Sequence, residues 1–143
     1  MSGLFQLNEA TSIAFHGMAL LTAADTPLSS GHLARETGSS EAHLAKVMRR
    51  LAQAGLVTAT RGPGGGFTLA KAAVNIVLLD IYQAIEGPFT TNECILNRKN
   101  CPFQCCLFGG FLENITGEFK DFLTRRILAD LVSFSPIKPL VRK

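Results

Sequence analysis

GSSEAHLAKVMRRLAQAGLVTATRGPGGGFTL, residues 38–69, is the stretch whose reading decides the fold. Within it Leu44, Val47, Met48 and Leu51 recur at three and four residues, the spacing of one buried helical face, which predicts a helix over residues 40–54. On the other side His43, Lys46 and Arg50 fall at i, i+3 and i+7 with Arg49 beside them, so a strip of donors runs along the helix. Gly55 supplies the left-handed position that closes a helix, and residues 56–60 continue with β-branched side chains into a short strand. Residues 62–66, GPGGG, then permit positive φ angles and expose backbone N–H groups, with Arg61 at the base of the return and residues 67–69 as the second strand.

Upstream, residues 27–37 form a shorter helical pattern with Ser29 as its N-cap and Leu33 and Ala34 facing inward, and Gly38 and Ser39 make the turn. Two helices joined by a short glycine-containing turn, the second of them basic and followed by a two-stranded wing, describe a winged helix-turn-helix. The plainer alternative is a helical hairpin with an ordinary loop. The expected fold class is therefore mainly α with a small β-hairpin wing, extended by a long C-terminal helix.

Further out, residues 8–24 pattern as a packing helix through Ile13, Phe15, Met18, Leu20 and Leu21, interrupted by His16, which alone reads as a satisfied or surface histidine. Residues 71–75 are a polar connector, and residues 76–86 a short amphipathic helix through Leu78, Leu79, Ile81 and Ile85, stopped by Gly87 and Pro88. Residues 107–132 give the longest helical pattern, with Phe108, Phe111, Leu112, Ile115, Phe119, Phe122 and Leu123 on one face, an apolar stripe suited to packing or to a dimer. The tail SFSPIKPLVRK reads as extended and mobile. The organisation expected is a winged helix-turn-helix over residues 1–86, a cysteine-rich loop over 87–106, and a dimerisation helix with its tail over 107–143.

The 143 residues suffice for one domain with appendages. No apolar run approaches the roughly 18 residues of a membrane span, and the N-terminus lacks the pattern of a secretory signal, so a cytoplasmic protein with no membrane partner is expected. A net charge of +3 is too small to demand nucleic acid. The concentration of Lys46, Arg49, Arg50 and Arg61 in one motif is what points to DNA.

All four cysteines, Cys94, Cys101, Cys105 and Cys106, crowd into a single loop rich in Asn, Lys and Pro. Without an export signal, clustered thiols point to metal or redox chemistry rather than to disulfide staples. Their spacing is neither a zinc-ribbon pair nor a plant-type ferredoxin pattern, so it leaves zinc, an iron-sulfur cluster and cofactor-free thiol redox chemistry open. An enzyme is not expected: there is no C-x-x-C in a thioredoxin-like setting and no nucleophile elbow, and GPGGG lies on a hairpin rather than between strand and helix. A small thiol or metal enzyme remains the remote alternative.

The segment HLAKVMRRLAQAGLVTATRGPGGGFTLA resembles the recognition helix and wing of the Rrf-two family of bacterial transcription regulators, RGPGGG being the most distinctive run. AIEGP at residues 84–88, the cysteines, and a C-terminal helix ending in LADL extend the resemblance over most of the chain. It implies a homodimeric, sequence-specific regulator on a roughly palindromic operator, whose affinity for double-stranded DNA follows an iron-sulfur cluster, [2Fe-2S] or [4Fe-4S]. The likeness is to the iron-sulfur-binding IscR-like and NsrR-like branch. The family's groove-reading positions match Ser40, Lys46 and Arg61; the residues themselves lead to the expectation that Lys46 and Arg61 carry DNA affinity, with Ser40, His43 and Arg50 in support and Gly64 at the wing. Two further reading positions are Ala42 and Ala45 here, so the family's target sequence is not carried over.

The family's cluster ligands match Cys94, Cys101 and Cys106, the last chosen over Cys105 because the apolar register that follows then agrees. Cys105 is left as a fourth ligand, an alternate third ligand or a bystander. Some relatives place a histidine three residues after the last cysteine, where this chain has Gly109. Others draw a ligand from the first helix across the dimer, a carboxylate at the position of Ser12 or a histidine at that of His16; Glu9, one turn earlier, is a weaker oxygen donor. Completion of the site thus falls to Cys105 or to His16 of the partner subunit. Adjacent cysteines rarely point at one metal together, which favours the histidine.

Overall fold

Ser40 begins the central helix by turning its hydroxyl back to accept the amide of His43, satisfying one of the N–H groups that a helix start leaves open. A computed structural model describes residues 7–90 and 101–134 of the chain. In it α1 spans Glu9–Thr22, α2 Ser30–Thr37, α3 Glu41–Gln53, α4 Leu78–Glu86, α5 Phe111–Arg125 and α6 Leu128–Phe134. The strands β1, Val57–Thr60, and β2, Gly66–Leu69, pair antiparallel with Val57 opposite Leu69 and Thr60 opposite Gly66. This is the mainly helical, winged arrangement expected.

The core gathers under α3. Leu44, Val47, Met48 and Leu51 are all buried, together with Leu33 and Ala34 of α2, Ile13, Ala14, Met18 and Leu21 of α1, and Leu78, Ile81 and Ile85 of α4. Each large side chain of that set contributes about 1.5 to 3 kcal/mol by leaving water. Gly38 closes α2 in the left-handed conformation, φ 68, and Gly55 does the same after α3 at φ 73, as the sequence anticipates.

A third piece of chain completes the wing. Leu28, just before α2, donates its amide to the Phe67 carbonyl at 3.1 Å and accepts the Phe67 amide at 2.8 Å, so the helix-turn-helix and the wing share a backbone ladder. Gly66 is what allows this approach, because a Cβ there would collide with the Leu28 carbonyl. Gly66→Ala should therefore destabilise the fold by about 1 to 3 kcal/mol, as overpacking does, and weaken DNA binding through a displaced wing. Thermal unfolding with an operator titration checks both; unchanged values would place the wing's anchorage elsewhere.

Two expected elements differ in extent. Residues 76 and 77 are extended rather than helical, preceded by a 3-10 turn at Ala73–Asn75. The helix expected over 107–132 starts at Phe111 and breaks at Arg126 and Ile127. There the chain pairs with the segment leading into α4: the Leu78 amide bonds the Arg126 carbonyl at 3.0 Å and the Leu128 amide the Ile76 carbonyl at 2.8 Å. The Asp130 carboxylate accepts the Ile127 amide at 3.0 Å and so starts α6. The tail over 135–143 and Cys94 lie outside the described residues.

Candidate nucleic-acid interface and cysteine segment

Burying Leu44, Val47, Met48 and Leu51 leaves Ala42, Lys46, Arg49 and Gln53 as the outward face of α3, all exposed or nearly so. Arg61 is exposed at the end of β1, and Gly62, Pro63 and Gly64 form the exposed tip, closed by a 2.9 Å bond from the Gly65 amide to the Gly62 carbonyl. Gly62 and Gly64 have φ of 97 and 73, conformations that side-chain-bearing residues avoid. Ser40, Lys46, Arg61 and Gly64 are therefore solvent-facing on the helix and wing that a winged helix lays against DNA.

Arg50 is exposed on the same side, and His43 is half-buried. His43 Nδ1 sits 3.7 Å from the Glu9 carboxylate of α1. The Arg50 Nη1 donates to the Ile85 carbonyl in the last turn of α4 at 3.1 Å. Gln53 was absent from the sequence-derived set, although its place two turns beyond Lys46 was readable from helical spacing.

Cys101, Cys105 and Cys106 are all exposed in the non-helical segment that precedes α5. Among the described residues no three His, Cys, Asp or Glu side chains converge as metal ligands would. The donors themselves suit a soft, thiophilic group, being thiols on an accessible segment.

His16 is exposed on α1, and its Nδ1 lies 2.7 Å from the Ser12 carbonyl. A carbonyl only accepts, so Nδ1 is the donor in this contact, which in a neutral ring leaves the lone pair on Nε2, the arrangement found when a histidine ligates a metal through Nε2. Around it α1, α5 and α6 border an apolar groove of about 650 Å³ lined by Phe15, His16, Leu20, Phe119, Phe122 and Leu131.

The aromatic stripe divides along α5. Leu123 is buried, and Phe119 packs against Tyr82 and Phe89 with ring centroids 5.8 and 6.3 Å away. Burial, and then the neighbouring Glu86 carboxylate, raise the Tyr82 phenol above its ordinary value of 10.0. Phe111, Ile115 and Phe122 remain exposed, as do Phe103, Leu107 and Phe108 before the helix.

A recognition helix packed on a three-helix core, with a glycine-tipped wing beside it, defines a winged-helix DNA-binding protein of the transcription-regulator class. The chain belongs to the Rrf2 family, described as iron-dependent transcriptional regulators, which matches residues 7–133. Protein rrf2 of Nitratidesulfovibrio vulgaris is 32% identical over 132 residues, covering 89% of this chain and 81% of that protein. The fold is similar to CymR, the global cysteine regulator of B. subtilis, with a TM-score of 0.74, 24% identity and coverage of 92% and 99% of the two chains. It is likewise similar to T. potens IscR, with a TM-score of 0.72, 20% identity and coverage of 98% and 95%. No helix among the described residues is long and apolar enough to cross a membrane.

Proposed function

We propose that this DNA-binding regulator acts as a homodimer whose operator affinity follows the state of an iron-sulfur cluster held by Cys94, Cys101 and Cys106. The observation that carries the reading is that α3 and the wing turn Lys46 and Arg61 to solvent while the segment before α5 turns Cys101, Cys105 and Cys106 to solvent as well. Membership of a family described as iron-dependent supports the choice of metal. A bound cluster supplies one-electron chemistry tuned by its ligands and its exposure.

The chain's own groups do the rest. Ser40 and Lys46 on α3, with Arg61 and Gly64 on the wing, meet DNA, supported by His43 and Arg50 on the same helix. His16 of the partner subunit completes the cysteine site through Nε2, held in that tautomer by the Ser12 carbonyl. Because two copies present two recognition helices, the operator is roughly palindromic. The protein works among DNA in the cytoplasm.

A cofactor-free reading, with the thiols responding directly to oxidants, is favoured by the exposure of Cys101 and Cys105. Anaerobic purification separates the two. Visible absorption, and a DNA selection whose enrichment changes when the chromophore is removed, is the result expected; a colourless anaerobic protein would leave the thiol reading in its place.

The dimer has its own test. Phe111, Ile115 and Phe122 leave an apolar face that association would cover, at about 25 cal/mol per Å² of apolar area. Sedimentation at micromolar concentration should give twice the 15.4 kDa chain mass, and Phe111→Glu with Ile115→Glu should halve it. A wild-type monomer would sink the proposal.

A further inference from the structure

On its flank the recognition helix is tied to the turn from which the cysteine loop departs. Arg50 of α3 donates to the Ile85 carbonyl, one of the carbonyls that the last turn of α4 leaves without an intrahelical partner. The site suits a cation, since the α4 C-terminus carries partial negative charge. The next residue, Glu86, accepts a hydrogen bond from the hydroxyl of Thr11, which is fully buried in α1. Glu9, two residues before Thr11, faces His43 in the first turn of α3. These contacts join α1, α3 and the end of α4 along one edge of the molecule.

Immediately afterwards Gly87 takes φ 82 and ψ −170, a conformation open essentially to glycine alone, and Pro88 follows. Gly87 and Pro88, the first residues of the chain leading to the cysteines, thus lie two and three residues beyond the Ile85 carbonyl. Lys46 sits about one turn from Arg50 on the same helix. The wing is anchored both to α3, through the Leu56 amide on the Leu51 carbonyl, and to Leu28 ahead of α2. The Arg50 contact therefore links the α4 end to the helix that carries Lys46 and leads into the wing.

We propose that Arg50 is a positioning residue that passes the state of the cysteine loop to the DNA-reading helix through the Ile85 carbonyl, with Thr11 and Glu86 holding the same turn from α1. The inference rests on the proposed control of DNA affinity by the loop. It gives the exposed Arg50 guanidinium a protein carbonyl as partner, whereas Lys46 and Arg49 point to solvent on the same helix.

The test uses the full chain and a selected operator duplex. Affinity and its salt dependence are measured for the anaerobically reconstituted and the chelator-treated protein, in the wild type, Arg50→Met, Arg50→Lys and Thr11→Val. In the wild type the two states should differ by about tenfold or more, within the usual range of allosteric coupling. Arg50→Met keeps the aliphatic stem but no donor, and should bring that ratio close to one with the cluster absorption and the salt slope unchanged. Arg50→Lys, which keeps a donor, should retain most of the ratio. Thr11→Val, buried and uncharged, should lower the ratio without any route through DNA contact, and it carries the test if Arg50→Met fails to fold.

Equal weakening of both states by Arg50→Met, with the logarithmic salt slope reduced by about one, would identify a phosphate contact and overturn the inference. So would a ratio untouched in both Arg50→Met and Thr11→Val. Equal affinities of the two wild-type states would defeat the proposed loop control itself, and this relay with it; that result is visible in the wild type alone.

Discussion

Operator affinity should fall by at least about 30-fold when Lys46 and Arg61 are both replaced by alanine, each lost base contact costing about 1 to 3 kcal/mol. The two residues stand on separate elements, an exposed helical face and the end of a wing strand, so their costs should add. Neither side chain belongs to the buried core, so circular dichroism and thermal unfolding should match the wild type. If the contacts are to phosphates instead, the salt dependence will flatten and all sequences will weaken together. A folded double variant that binds its operator as the wild type does would remove both residues from the interface.

Loss of the chromophore should follow from replacing Cys94, Cys101 or Cys106 by serine, whose hydroxyl is a far poorer ligand for a soft metal than a thiolate. The fourth position is the finer question. The Ser12 carbonyl is placed to accept from Nδ1 of His16, which in a neutral ring leaves Nε2 to donate its lone pair, whereas Cys105 adjoins Cys106 and competes with it for direction. His16→Ala should accordingly change the absorption spectrum of anaerobic protein, and Cys105→Ser should leave it largely as it was. The reverse pattern would assign the position to Cys105.

Much of the DNA-binding half was legible because its determinants are local. The four apolar positions of α3, the Ser40 cap and Gly55 each act within a few residues of themselves, and the glycines of the wing announce their own turn. The Leu28 ladder was not readable, since it joins the chain to Phe67 through backbone atoms that any residue possesses. Nor was the break at Arg126 and Ile127, where no proline or glycine interrupts the apolar period and the cause is pairing with residues 76–78. Arg50 shows the same limit at the candidate site. Helical spacing counts it among the outward cations, but its partner carbonyl lies on another helix and carries no side-chain signature. Thr11 and Glu86 escaped notice for a related reason, as a threonine inside an apolar pattern gives no hint of which carboxylate it will meet.

The uneven burial of α5 makes it a cantilever. Its root is clamped, with Leu123 buried, Phe119 wedged beside Tyr82 and Phe89, and the following residues laddered to the α4 leader, while Phe111 at the other end is 56% exposed. The cysteine segment is joined to this exposed end, the one that the proposed dimer would cover. A helix of this length is a lever of about 22 Å, so a tilt of about ten degrees at its root sweeps the tip through about 4 Å. A small repacking of the rings beside α4 would thereby be magnified where the thiols are, and a pull on the thiols would return to those rings with the leverage of a long handle.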